Sequence, residues 1–111
     1  MSAFTYLLLA IASELVATTS LKFSYGFTKP LPSILVVIGY GASFYLMSQA
    51  LKMAMPIGTA YAIWSGIGTV GIAILGVLFF SETMDMARII GISLIVAGVL
   101  VLNMFSPVAH A

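Results

Sequence analysis

The chain has 111 residues, of which 62% are hydrophobic and 6% charged, with four Lys+Arg against three Asp+Glu. Soluble domains carry about a quarter charged residues, so this composition cannot clothe a water-facing surface; residues 1–111 read as one all-α, lipid-embedded domain. The net charge of +1 gives no sign of a nucleic-acid partner, and the absence of cysteine excludes disulfides, zinc-thiolate sites and thiol nucleophiles.

Three breaks divide the chain: YGFTKPLPS (25–33), KMAMPIG (52–58) and SETMDMAR (81–88). Each collects prolines, glycine or charges that end apolar helices. The runs between them are roughly 18 to 24 residues long, enough to cross a hydrocarbon core of about 30 Å. Backbone polar groups in lipid must be satisfied internally, which favours helices over strands. Four transmembrane helices are expected, at about 3–22, 33–54, 58–80 and 87–106. The first run is read as a retained helix and not as a signal peptide, since no basic residue precedes it and an acid interrupts it. Four spans place both termini on one side. Lys22, Lys29 and Arg88 then flank one face of the membrane, and Lys52 and the terminal amine the other. That asymmetry hardly selects an orientation under the positive-inside rule.

The first helix, LLLAIASELVATTSLKF (7–23), holds Glu14 near its middle. An acid at a helix centre costs about 2.5–3.5 kcal/mol to insert, and such residues mark ion, proton or substrate sites. Lys22, the nearest base in sequence, lies eight positions along, about 12 Å at 1.5 Å per residue, too far for a local ion pair. Leu7, Ala10, Ile11, Ala17 and Thr18 share the face of Glu14. Ala10 and Ala17 either let a ligand approach the carboxyl or let another helix pack there. Thr18 offers a hydroxyl.

In the second helix Tyr40, Phe44 and Met47 form one face, a packing stripe unless it meets Glu14. In the third, Tyr61, Trp64, Ser65 and Gly68 stand at i, i+3, i+4 and i+7. The aromatic pair can box an organic cation, worth about 2 kcal/mol or more when desolvated, or belong to an interfacial belt. Gly66, Gly68 and Gly71 allow either a hinge or close packing. In the fourth, Ala87, Gly91 and Gly98 make a small-residue stripe suited to self-association.

Nothing here suits an enzyme, a cofactor or a metal. The single His110 stands next to last, and GIGTVG (66–71) lies inside an apolar run without the lysine of a phosphate loop. Uphill movement would draw on an ion gradient.

The segments ASELVATTSLKFSYGFT (12–28), GYGASFYLMSQAL (39–51), PIGTAYAIWSGIGTVGI (56–72) and RIIGISLIVAGVLVLN (88–103) resemble the small multidrug resistance transporters almost end to end. The resemblance implies a multi-pass protein of the bacterial inner membrane that works as an antiparallel homodimer with dual topology. Glu14 would be the embedded glutamate that binds either protons or a cationic substrate. Tyr61, Trp64 and Ser65 would line the site, and Gly91 and Gly98 would form the dimer contact. Thr18, Thr19, Tyr40, Phe44 and the late Leu102–Asn103 pair look like the subtype that exports quaternary ammonium compounds. The guanidinium exporters more often carry a Trp after the glutamate. Ala17 stands where many multidrug members have glycine, and Leu31 where several have tryptophan. The expected mechanism is exchange: a hydrophobic cation displaces protons from two Glu14 residues, the dimer rocks, and protons return. Guanidinium export, or a non-transporting subunit whose Glu14 pairs with a partner's base, are the alternatives.

Overall fold

The computed structural model describes residues 2–105; His110 and the terminal amine lie outside them, as does the side chain of Asn103. Four helices follow in order: α1 Ala3–Phe23, α2 Pro30–Lys52, α3 Ile57–Phe80 and α4 Met86–Phe105. They form two compact units that divide between Met53 and Ala54, one made of α1 and α2, the other of α3 and α4.

In the first unit, Ser2 caps α1 by accepting from the Thr5 N–H at 3.1 Å, which satisfies one of the orphan donors of a helix start. Ser24 closes the helix. Its hydroxyl donates to the Leu21 carbonyl at 2.7 Å and accepts from the Phe27 N–H at 3.1 Å. Its carbonyl accepts from Thr28 and Lys29 at 2.9 and 3.1 Å. This hydroxyl and carbonyl hold together a turn in which Tyr25, Gly26 and Phe27 all have positive φ, at 48°, 70° and 67°. Only the glycine adopts that conformation without steric cost. Helix α2 then starts at Pro30, earlier than the expected residue 33. The reason is chemical: Pro30 and Pro32 fall in the first turn, where the backbone N–H that proline lacks has no helical partner.

Helices α1 and α2 pack through small residues. A Cβ added to Gly39 would lie 2.8 Å from the Ala17 Cβ and 3.1 Å from the Ser13 carbonyl oxygen. One turn along α2, the fully buried Ser43 donates to the Ala10 carbonyl at 2.7 Å. A mid-helix serine has spent its hydroxyl on the neighbouring helix backbone, as is favourable where no water competes.

In the second unit, α3 begins after Pro56 and ends at Ser81, which takes the left-handed conformation (φ 56°). The Glu82 N–H bonds the Gly76 carbonyl at 3.1 Å and closes the helix. The Glu82 side chain lies over Gly76, in space that a Cβ would occupy. Asp85 caps α4 by accepting from the Arg88 N–H at 2.8 Å. Arg88 donates to the Thr83 carbonyl at 2.9 Å and pairs with Glu82 at 3.5 Å. The charges of this turn are therefore used to fix the α3–α4 connection. Gly66 faces Val99 and Ile95 of α4, so closely that a Cβ there would overlap the Val99 side chain. Of the two roles open to Gly66, hinge or packing, this contact supports packing. Beyond it the two helices part to leave apolar grooves of about 210 and 260 Å³, lined among others by Val70, Ala73, Ile89 and Ile92.

Large apolar side chains cover the outside: Leu8, Val16, Val37, Ile38, Leu78, Phe79, Leu94 and Val101 are all exposed. In water such a surface would aggregate; in lipid it is the solvated face. Helices α1, α2 and α3 are long and apolar enough to cross a membrane, while the apolar stretch Met86–Leu102 of α4 is shorter. The architecture is that of an all-α membrane protein.

The α1–α2 contact yields a paired test. Gly39→Ala forces its methyl against Ala17 and should destabilise the chain by about 1–3 kcal/mol, read as a lower unfolding midpoint in detergent. Gly41→Ala, where an added Cβ meets nothing within 4 Å, should be neutral or slightly stabilising.

Candidate functional site

The spacing of α1 puts Glu14 and Thr18 one turn apart, and the structure joins them. The Thr18 hydroxyl donates to Glu14 Oε1 at 2.8 Å. The same Thr18 oxygen lies 2.6 Å from the Tyr40 hydroxyl of α2. A carboxylate has no proton to give, and Thr18 has one. With the acid ionised, Thr18 donates to Glu14 and Tyr40 donates to Thr18. A charge-assisted bond of this kind is stronger than one between neutral groups.

The second carboxyl oxygen is different. Glu14 Oε2 is buried and has no hydrogen-bond partner among the described residues, and Thr19 Oγ1 shares that condition. A buried acceptor left unmatched carries a desolvation cost of about 1–3 kcal/mol, more when charged. Such orphans call for an explanation, an unmet ligand or ion among them. Two chemical species relieve this oxygen: a cation beside the carboxylate, or a proton on the carboxyl. Among the described residues no three His, Asp or Glu side chains gather as a metal site would require.

Close approach of α2 is what delivers Tyr40. Ala10 and Ala17 are fully buried and Ile11 is 2% exposed. Ala10 spends its carbonyl on Ser43 and Ala17 lies against Gly39. Both alanines therefore serve the helix contact. The extra methyl of Ala17, relative to glycine, is accommodated by Gly39 across the interface. Gly39 and Ser43 did not stand out in the sequence. Their signal was there: two small residues four apart, flanking Tyr40 on one side of an apolar helix.

The other expected site residues fall on both units. Phe44 is exposed on α2. Tyr61, Trp64 and Ser65 belong to α3 in the second unit, Tyr61 and Ser65 exposed and Trp64 half-buried. Gly66 and Gly68 are buried. On α4, a Cβ added to Gly91 or Gly98 would meet nothing within 4 Å, and Ala87 is exposed. Leu31, in the first turn of α2, is exposed.

A four-helix, lipid-embedded chain with a carboxyl held inside by one hydroxyl has the form of a small membrane carrier. Comparison with known proteins agrees. Residues 2–95 match the family model described as Small Multidrug Resistance protein. The quaternary ammonium compound-resistance protein QacF of Klebsiella aerogenes is 46% identical over 94% of each chain. The multidrug transporter EmrE of Escherichia coli K12 is 48% identical over 96% of each. The multidrug resistance protein EbrA of Bacillus licheniformis is 48% identical, covering 91% of this chain and 95% of its own. This chain belongs to the small multidrug resistance family of membrane transporters.

Proposed function

We propose that the chain is a proton-coupled antiporter that exports hydrophobic quaternary ammonium and aromatic cations, with proton and cation competing for Glu14. The observation that carries this reading is the divided environment of the acid. Oε1 is held by Thr18, and Oε2 is buried without a hydrogen-bond partner among the described residues. One site that accepts a proton or a cation, and not both, couples their movements with no further machinery. Names borne by the relatives favour quaternary ammonium cations over guanidinium.

The working unit in this reading is an antiparallel homodimer. It brings two Glu14 carboxyls together in one site. Support comes from α4, where Gly98 is exposed and an added Cβ at Gly91 or Gly98 would meet nothing within 4 Å in the single chain, leaving room for close helix approach. Trp64 and Tyr61 supply aromatic faces to the cation. In the first unit Thr18 and Tyr40 stand at the acid, with Ala10, Ile11 and Ala17 packed beneath it; Ser65 is proposed as a further contact from α3.

Four measurements test the reading. Glu14→Gln should abolish proton-driven uptake of a quaternary cation into proteoliposomes, and wild-type affinity for tetraphenylphosphonium should rise with pH; uptake persisting in the variant would sink the mechanism. Trp64→Ala should weaken aromatic cations about tenfold or more, as loss of a desolvated cation–π contact requires; unchanged affinity returns Trp64 to packing. Gly91→Leu combined with Gly98→Leu should leave the helical content intact while shifting the detergent-solubilised protein from dimer to monomer, measured by light scattering.

A further inference from the structure

We infer that Tyr40 is a positioning residue that acts on Glu14 only through the Thr18 hydroxyl, and that the direction of this three-group chain reverses when Glu14 is protonated. The inference deepens the reading of Glu14 as a shared proton and cation site. It assigns Tyr40 a hydroxyl function in place of an aromatic wall.

The geometry supplies the first half. Tyr40 reaches Thr18 at 2.6 Å and Thr18 reaches Glu14 Oε1 at 2.8 Å. Donation by Tyr40 fixes the Thr18 hydroxyl so that its proton points at the carboxylate. Mutual polarisation strengthens both bonds in a poorly hydrated setting. The remaining oxygen, Oε2, is left for the incoming cation. Placement of Tyr40 depends on the Gly39–Ala17 approach and the Ser43–Ala10 bond on either side of it.

Proton counting supplies the second half. A proton arriving from water can settle on Oε2 or on Oε1. On Oε2 it would be a buried donor with no acceptor among the described residues. On Oε1 it has an acceptor waiting in Thr18. Thr18 then turns its own proton to Tyr40, and Tyr40 becomes the acceptor. No proton leaves the chain; only the bond directions change. Protonation of the acid on α1 is thereby registered at a hydroxyl on α2. The other titratable and charged groups of α2 are Tyr45 and Lys52, with Lys29 at its cap. Helix α1 adds Tyr6 and Lys22, each eight positions from Glu14, or about 12 Å along the axis.

The test has two arms, both on the full chain in detergent or lipid. In the first, tetraphenylphosphonium affinity is measured at high pH for a double-mutant cycle. Tyr40→Phe, which keeps the ring, should weaken binding about three- to tenfold, the size expected for one hydrogen bond between neutral groups. In the Thr18→Val background the same substitution should change affinity by less than about twofold. A wild-type affinity for Tyr40→Phe, or an equal loss in both backgrounds, overturns the inference. In the second arm, infrared difference spectra follow the Glu14 carboxyl band and the phenolic C–O band of ring-labelled tyrosine across a pH titration. One tyrosine band should shift in step with the carboxyl, and the shift should vanish in Tyr40→Phe, Thr18→Val and Glu14→Gln. A titrating carboxyl with silent tyrosines would place the proton on Oε2 and overturn the reversal. Should the wild type bind no cation at all, the transport reading fails, and the infrared arm still decides the chain of hydroxyls.

Discussion

A carboxyl group inside a lipid-embedded helix must be satisfied by something other than water, and much of the first unit answers that requirement. Glu14 has one oxygen matched by Thr18, which is in turn matched by Tyr40. The match demands that α2 come within hydroxyl reach of α1. Alanine at 10 and 17, glycine at 39 and serine at 43 make that possible, since bulkier side chains would hold the backbones apart. The small residues and the acid are therefore one device: a close helix pair that half-satisfies a carboxyl and leaves its other oxygen in need.

In the proposed reading, that unmet need is also what gives the acid a function. A fully paired carboxylate would be a structural element, expensive to disturb. In the same reading, one with a single strong partner is stable enough to bury and still open to a proton or an organic cation. The membrane-facing surface is otherwise apolar, as a lipid-embedded chain requires. Charged residues at the α3–α4 turn serve a different end. Glu82, Asp85 and Arg88 close and cap helices outside the apolar runs, where ion pairs and caps cost little.

The second unit separates two uses of glycine that look alike in sequence. Gly66 is covered by Val99, a contact internal to the chain, whereas Gly91 borders the groove between α3 and α4 and Gly98 is exposed, with nothing within 4 Å of an added Cβ at either. The first stitches α3 to α4; the other two leave room beside the backbone. Spacing alone does not tell them apart, because a Gly at helical period fits either a neighbour in the same chain or one in another.

The all-α membrane class was legible in the residues themselves, as was the oddity of an acid at position 14. Helix length against bilayer thickness, and the cost of an acid among apolar neighbours, are properties of a local stretch and need no tertiary information. Proline at 30 misled at the level of a few residues, because a break signal and a helix-start signal use the same amino acid. Tertiary structure alone decided which polar group stands behind Thr18. Tyr40 is 22 positions from Thr18, and whether its hydroxyl or its ring matters is set by the register of two packed helices. It likewise decided that Ala10 and Ala17 belong to a helix contact, because a small side chain marks an approach without saying what approaches.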